Sequence, residues 1–379
     1  MAEATLPPLH RGIPDEISIW DWDILVRLPP KSLLHCRAVC RAWRSATSIH
    51  DFLLAHHASQ PALPLFYAYN YRCDSVGVES LDIIPFDHRV GVAGADRLQS
   101  IARIGDTCVR LCISCDGLQV LNMGKGQFSI VNPATRQCAR LPSFTVTYSH
   151  VPVGMYPHSL SGDYRILLAP CDPHDSYWVY TVGSSQPPRH IDIDGHVVDA
   201  LSPLTPLLFH HSLHWCADDV ITVFDTTTES FGEMLAPHGA DQFVVHEIYG
   251  GVLFEVDGML GISSPNAEFT SVGVWAMHNY ESKVWAFKYR VELPVAELTV
   301  QFGVFKPYRC WVPISWDGDV IMLLQFGDWL LQLDMDGKVV ASLRRQNGLF
   351  PTQDRLKQTL VQHSFFPTLG GYVVNAPPF

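Results

Sequence analysis

The sequence predicts an α+β chain of two domains: a short N-terminal unit of three helices, followed by an all-β propeller of six blades, with seven as the alternative. Three observations predict it. Apolar residues recur at helical spacing between Ile13 and His57. Beyond Pro61, short runs alternate apolar and polar residues, and turn signals separate them every 8–12 residues. Strand–turn units in that second part also recur at an interval of 42–55 residues. The expected division is a disordered N-terminus over 1–12, a helical domain over 13–57 and a β domain over 61–379.

In the first region Ile17, Trp20, Ile24 and Leu28 step by three, four and four residues, which puts them on one stripe of a helix. Pro14, Asp15 and Glu16 open it, where a missing N–H is harmless and negative charge suits the helix dipole. Pro29 and Pro30 end it. A second stripe follows as Leu33, Cys36, Cys40 and Trp43, with Arg37, Arg41 and Arg44 on an adjacent face. A third short element runs from Asp51 to His57.

In the second region Asp-Gly, a strong two-residue hairpin signal, occurs five times, at 116, 194, 257, 317 and 336. Strands leading into polar turns end near Asn132, Gly183, Asp225, Asn279 and Asp334, with gaps of 51, 42, 54 and 55 residues. That spacing fits the roughly 40–50 residues of a four-stranded propeller blade. Five units are then visible. The strands within Leu65–Ile104 and the tail Leu360–Phe366 are expected to supply a sixth by joining the chain ends, which removes exposed edges. Only Asp354–Gln362 in this region reads as briefly helical.

Composition narrows the function classes. Of 379 residues, 47% are hydrophobic and 17% charged, which supplies a large core and excludes a solvating, disordered chain. No apolar run approaches the roughly 18 residues of a membrane span, and Met1–Gly12 does not read as a signal peptide. The whole net charge of −12 lies beyond residue 57, where its field repels phosphate backbones and disfavours nucleic acid as a partner. The ten scattered cysteines and the absence of an Asn-x-Ser/Thr sequon fit a reducing compartment, so a soluble protein of the cytoplasm, the nucleus or both is expected.

Several clusters invite a chemical reading, and each has a simpler structural one. His210, His211, His214 and Cys216 are metal-like in density, but no second ligand cluster matches them, so structural histidines are expected. Cys112 and Cys115 form a lone Cys-x-x-Cys without a βαβ context, and read as buried thiols. Gly124-Lys125-Gly126 is a hairpin turn rather than a phosphate loop. Asp334 and Asp336 are expected to be turn residues. No catalytic residue, metal site or cofactor is expected. Thr145–Gly162, with Tyr148, Met155 and Tyr156, and Ala236–Glu247 are candidate contact loops.

The ordered set Ile13-Pro14-Asp15-Glu16-Ile17, Ile24-Leu25-Val26-Arg27-Leu28-Pro29-Pro30-Lys31-Ser32-Leu33-Leu34 and Cys36-Arg37-Ala38-Val39-Cys40-Arg41-Ala42-Trp43-Arg44 resembles an F-box. The pieces Cys115-Asp116-Gly117-Leu118, Val131-Asn132-Pro133-Ala134-Thr135-Arg136, Leu141-Pro142, Ser212-Leu213-His214-Trp215 and Val223-Phe224-Asp225 resemble the F-box-associated, kelch-like β-propellers of plant F-box proteins. The resemblance implies a non-catalytic substrate receptor of an SCF-type ubiquitin ligase. In such a receptor the F-box docks a Skp-type adaptor, and through it a cullin–RING ligase, while the propeller captures a target protein that the sequence does not identify. Carried onto this chain, the adaptor-binding residues would be Pro14, Ile17, Ile24, Leu25, Leu28, Pro29, Leu33, Leu34, Cys36, Val39, Cys40 and Trp43. Residues 1–60 would then suffice for adaptor binding. Two alternatives stand beside this reading: an interaction scaffold outside a ligase, and a member that has lost adaptor binding, since the first helix is two or three residues longer than the pattern, which rotates the part before Ile24.

Overall fold

Ser18 opens the helical region by accepting a hydrogen bond from the Asp21 amide on its Oγ at 3.1 Å. The computed structural model describes residues 18–71, 78–87, 100–105, 109–144, 150–172, 176–191, 205–217, 219–237, 251–266, 268–303, 311–316, 319–326, 329–344 and 349–366. Ser18 caps α1 (Ile19–Leu25); α2 (Pro30–Cys36) carries a proline in its first turn, where no N–H is needed. The second apolar stripe is broken after Cys36 by a turn. Arg37 fills that corner, donating its Nε to Thr47 Oγ1 at 3.2 Å and its Nη2 to the Thr47 carbonyl at 2.5 Å. Cys40 then caps α3 (Arg41–Ala46) through its Sγ, and α4 (His50–Ser59) comes next. Among the described residues the region thus has four short helices where the periodicity suggests three.

The propeller begins directly after α4. Its first blade contains β1 (Ala62–Tyr71), β2 (Val78–Pro85) and β3 (Ala102–Ile104). The second is β4 (Arg110–Cys115), β5 (Leu118–Asn122), β6 (Phe128–Asn132) and β7 (Gln137–Arg140); the third is β8 (His150–Pro157), β9 (Tyr164–Pro170), β10 (Trp178–Thr181) and β11 (Arg189–His190). The fourth is β12 (Leu207–Phe209), β13 (Ser212–Ala217), β14 (Val220–Asp225) and β15 (Ser230–Leu235). The fifth is β16 (Val252–Val256), β17 (Met259–Pro265), β18 (Ser271–Asn279) and β19 (Val284–Glu292), after which comes the helix α5 (Val295–Phe302). The sixth is β20 (Trp311–Trp316), β21 (Asp319–Phe326), β22 (Trp329–Leu333) and β23 (Val339–Arg344). The last strand, β24 (Leu349–Lys357), returns to the first blade and pairs antiparallel with β1, Ala62 opposite Lys357 and Ala68 opposite Leu349.

Six blades therefore close into a ring, and the packing confirms the closure. Six buried clusters each join a pair of neighbouring blades, from Leu65, Leu81 and Val131 between the first and second to Phe66, Ile314 and Leu323 between the sixth and first. A hydrophobic sheet face needs a covering layer, and each blade supplies its neighbour's. The strand that heads each sheet lies innermost: β24 runs against β4 and β20, and β16 against β12 and β20.

Two expectations need correction. The closing strand is Leu349–Lys357, not the tail Leu360–Phe366, and Asp354–Gln362 is strand as far as Lys357 and irregular chain after it. Helix α5 is unexpected because β-branched Val295, Thr299 and Val300 favour a strand. Pro294 and Gly303, at φ +95°, bracket it, and Leu298 anchors it beside Val320 and Met322 of the sixth blade.

Candidate functional site

The helical unit has an inside and an outside. Trp22, Leu25, Val26, Leu33, Phe52 and Leu53 pack together, with Trp22 edge-on to Phe52 at 4.9 Å. Ile24 and Val39, by contrast, are 61% and 67% exposed, and Leu54 is also exposed. The twelve residues singled out from sequence thus separate. Ile24, Pro29, Val39 and Cys40 are exposed or partly so; Leu28, Leu34, Cys36 and Trp43 are half-buried; Leu25 and Leu33 are inside. Pro14 and Ile17 lie outside the described residues. Periodicity identifies an apolar stripe, but only packing tells which residues of it are already covered. The surface therefore combines exposed apolar side chains with a packed backing.

Two polar residues that the sequence does not flag hold that backing. His56 is fully buried and its Nε2 lies 2.9 Å from the Leu28 carbonyl, so Nε2–H is the donor and Nδ1 is left bare and buried. Burial lowers the His56 pKa and keeps the ring neutral, outweighing the favourable hydrogen bond to Leu28. Gln60 Nε2 donates to the same carbonyl at 3.1 Å. These bonds tie α4 to the turn at Leu28-Pro29, two of the candidate contact residues. A histidine at the end of a helix is an ordinary surface pattern, so only the fold reveals the role.

The core of the helical unit is completed from the far end of the chain. Leu360 and Val361, 3% and 7% exposed, pack in the same cluster as Leu25, Leu33 and Phe52.

The other clusters singled out from sequence take the following places in the fold. His210 and His211 form a tight turn at φ +46° and +58°, so the three histidines do not share a strand. His214 is buried between the Leu207 carbonyl at 3.3 Å and the Tyr280 hydroxyl at 2.7 Å, and burial lowers its pKa to about 4. Cys115 is packed between the second and third blades, and burial raises the Cys112 thiol to about 12. Among the described residues no three His, Cys, Asp or Glu side chains are grouped to hold a metal ion. Met155 and Tyr156 are not loop contacts: both are buried in β8, and the Tyr156 hydroxyl donates to Glu229 at 2.8 Å. Tyr148 and most of Ala236–Glu247 lie outside the described residues.

Family profiles agree with this architecture. A family profile described as F-box-like matches residues 12–57, and the profile of the F-box associated beta propeller domain matches residues 96–325. F-box protein CPR1 of Arabidopsis thaliana is 24% identical over 370 residues, covering 85% of this chain and 82% of that protein. Among solved structures, a protein of unknown function from Bacteroides caccae superposes with a TM-score of 0.40 at 8% identity, over 77% of this chain and 100% of the other. Apo AztD from Citrobacter koseri gives 0.37 at 12% identity, over 76% and 96%. With an F-box-like segment ahead of a six-bladed ring, and a profile match over more than half its length, the chain belongs to the F-box-associated β-propeller family.

Proposed function

We propose that this chain is the substrate-recognition subunit of an SCF-type ubiquitin ligase. Residues 13–57 would act as the F-box that docks a Skp-type adaptor, and residues 61–379 as the propeller that captures the target. The observation that carries this reading is the exposure of Ile24 and Val39 on a helical unit whose remaining large apolar side chains are mostly covered. Burying two such side chains against a partner contributes roughly 1.5–3 kcal/mol each, enough to anchor an interface. Ile24, Leu28, Pro29, Leu34, Cys36, Val39, Cys40 and Trp43 would touch the adaptor, with Pro14 and Ile17 preceding them; Leu25 and Leu33 would support the face from behind. The relative's name supports the assignment to F-box proteins. The chain would contribute no chemical step, ubiquitin transfer being left to the other subunits, and would work in the cytoplasm, the nucleus or both.

Affinity purification of the full chain, co-expressed with a Skp-type adaptor and a cullin, tests this. Recovery of both in stoichiometric amount is expected. Recovery of the adaptor without the cullin would favour a scaffold outside a ligase, and recovery of neither with folded protein would overturn the reading.

A further inference from the structure

The chain enters and leaves the propeller at one point. Ala62, the first residue of β1, is the register partner of Lys357, the last residue of β24. Because the closing strand runs antiparallel to the opening one, it delivers the residues after it to the foot of the F-box. Those residues, 358–366, form an irregular segment that lies on a bed laid by the second and third blades. The Asn132 amide donates to the Thr359 carbonyl at 3.2 Å in a buried site. Gly117, at φ +86°, passes so close beneath Lys357 that a Cβ there would sit 2.1 Å from its carbonyl oxygen. Gly183, at φ +81°, leaves the same kind of space for Phe365, whose Cβ would be 2.8 Å away. The His363 ring meets Tyr164 edge-on at 5.4 Å, and Phe366 is buried between the second and third blades. From this bed Leu360 and Val361 project into the F-box core.

We propose that residues 358–366 are an intramolecular strap that makes adaptor docking conditional on a closed propeller, with Leu360 and Val361 as positioning residues of the docking face. This rests on the reading of the chain as an adaptor-binding receptor. Leu25 and Leu33 form the inner side of α1 and α2; α1 presents Ile24 and the turn after α2 presents Val39, so the packing of the strap sets the geometry of the outer side. A helical unit of some 40 residues is too small to bury a sufficient core alone, and the strap supplies the missing part. During synthesis the F-box emerges before the propeller, but its core is completed only once residues 358–366 have been made and β24 has paired with β1. An unfinished or truncated receptor would then fail to engage the ligase. The strap also gives a role to Asp116-Gly117 and Asn132, pieces of sequence that otherwise read as hairpin turns. Residues 1–60 alone would not suffice for binding.

The test uses the full chain carrying Leu360→Asp with Val361→Asp, beside Leu360→Met with Val361→Ile. Amide hydrogen exchange reads each region separately, and adaptor affinity is measured in parallel. In the aspartate variant, protection of α4 should fall by about 100-fold while the fourth and fifth blades keep wild-type protection. Adaptor affinity should fall at least about tenfold, and the conservative pair should restore both. Wild-type α4 protection and affinity in the aspartate variant would overturn the proposal. So would equal loss of protection in the fourth and fifth blades, because the strap would then be general to the fold. If the wild-type chain itself binds no adaptor, the functional reading fails, and α4 exchange still decides whether the strap completes the F-box.

Discussion

The buried side chain of Asn132 joins two parts of the chain that are 227 positions apart: its Nδ2 donates to the Thr359 carbonyl at 3.2 Å. The same residue makes a local turn, because its Oδ1 accepts from the Ala134 and Thr135 amides at 3.0 and 3.2 Å. A short amide is suited to both tasks, having an acceptor for the turn and a donor for the strap.

Replacing Asn132 with Asp separates those tasks. The turn bonds are retained, but the donor is lost and a carboxylate faces the Thr359 carbonyl in a buried site. A loss of about 2–3 kcal/mol is expected in urea denaturation at pH 7.5. Asp225 holds the equivalent turn in the fourth blade through the Thr227 and Thr228 amides in an exposed setting. Asp225→Asn should therefore change stability by less than about 0.5 kcal/mol.

Glu229 pins the third blade to the fourth. Its buried carboxylate accepts from the Tyr156 hydroxyl and pairs with both Arg165 and Arg189. Arg165 is mostly buried, so Glu229→Ala leaves an uncompensated charge between the blades. A loss of roughly 3–5 kcal/mol is expected, visible as a lowered urea midpoint. Arg189 is mostly exposed, and Arg189→Ala should cost no more than about 1 kcal/mol.

Where the fold was legible from sequence, the signals were local. Asn132, Asp225 and Asn279 end the third strand of their blades, and Asp334 comes directly after one, so the recurring markers trace the last turn of successive blades. Those turns announce themselves because an Asx side chain bonds its own neighbouring amides, as Asn279 and Asp334 do. The proposed docking face was only half legible. The stripe Ile17, Trp20, Ile24 and Leu28 is not the side of α1 that packs: Ile24 is exposed, while Trp22, Leu25 and Val26, off that stripe, are inside, because Phe52, Leu53 and the distant Leu360 and Val361 cover them. The strap was illegible for the converse reason: Leu360-Val361 is an ordinary apolar pair until β24 carries it to the F-box. His56 depends equally on tertiary placement, since its partner is a carbonyl 28 residues earlier.

Acid should loosen the junction between F-box and propeller. Burial lowers the pKa of His56, of His57 and of His363, the last to about 4. In the unfolded chain these rings take up protons as the pH falls through about 6.5, whereas in the fold they resist until lower pH. The unfolded state then binds more protons, so stability falls as the pH falls below about 6.5, for His363 down to its folded pKa of about 4. Amide exchange in α4 at pH 7.5 and 5.5 checks this. Faster exchange at pH 5.5, after correction for the intrinsic rate, is expected.

Asp354 acts in the opposite sense. It is buried on β24, and desolvation raises its carboxyl to about 7, against favourable hydrogen bonds from the Ser114 backbone and the Thr352 side chain. The fold keeps a proton that the unfolded chain loses near pH 4, so this group weakens the fold as the pH rises from there, most fully above 7. Asp354→Asn should therefore stabilise the protein at pH 8 by on the order of 2 kcal/mol, and the gain should vanish near pH 4. A pair of denaturation curves at the two pH values reads the difference.

The central claim is that exposed apolar side chains of the F-box dock a Skp-type adaptor, and titration calorimetry of the full chain with that adaptor tests it most directly. Wild-type protein should bind with one-to-one stoichiometry, and Ile24→Asp with Val39→Asp should weaken binding by about 100-fold or more without changing thermal stability, both side chains being exposed in the free protein. Equal affinity of the folded double variant, or no heat of binding from the wild type, would contradict the account.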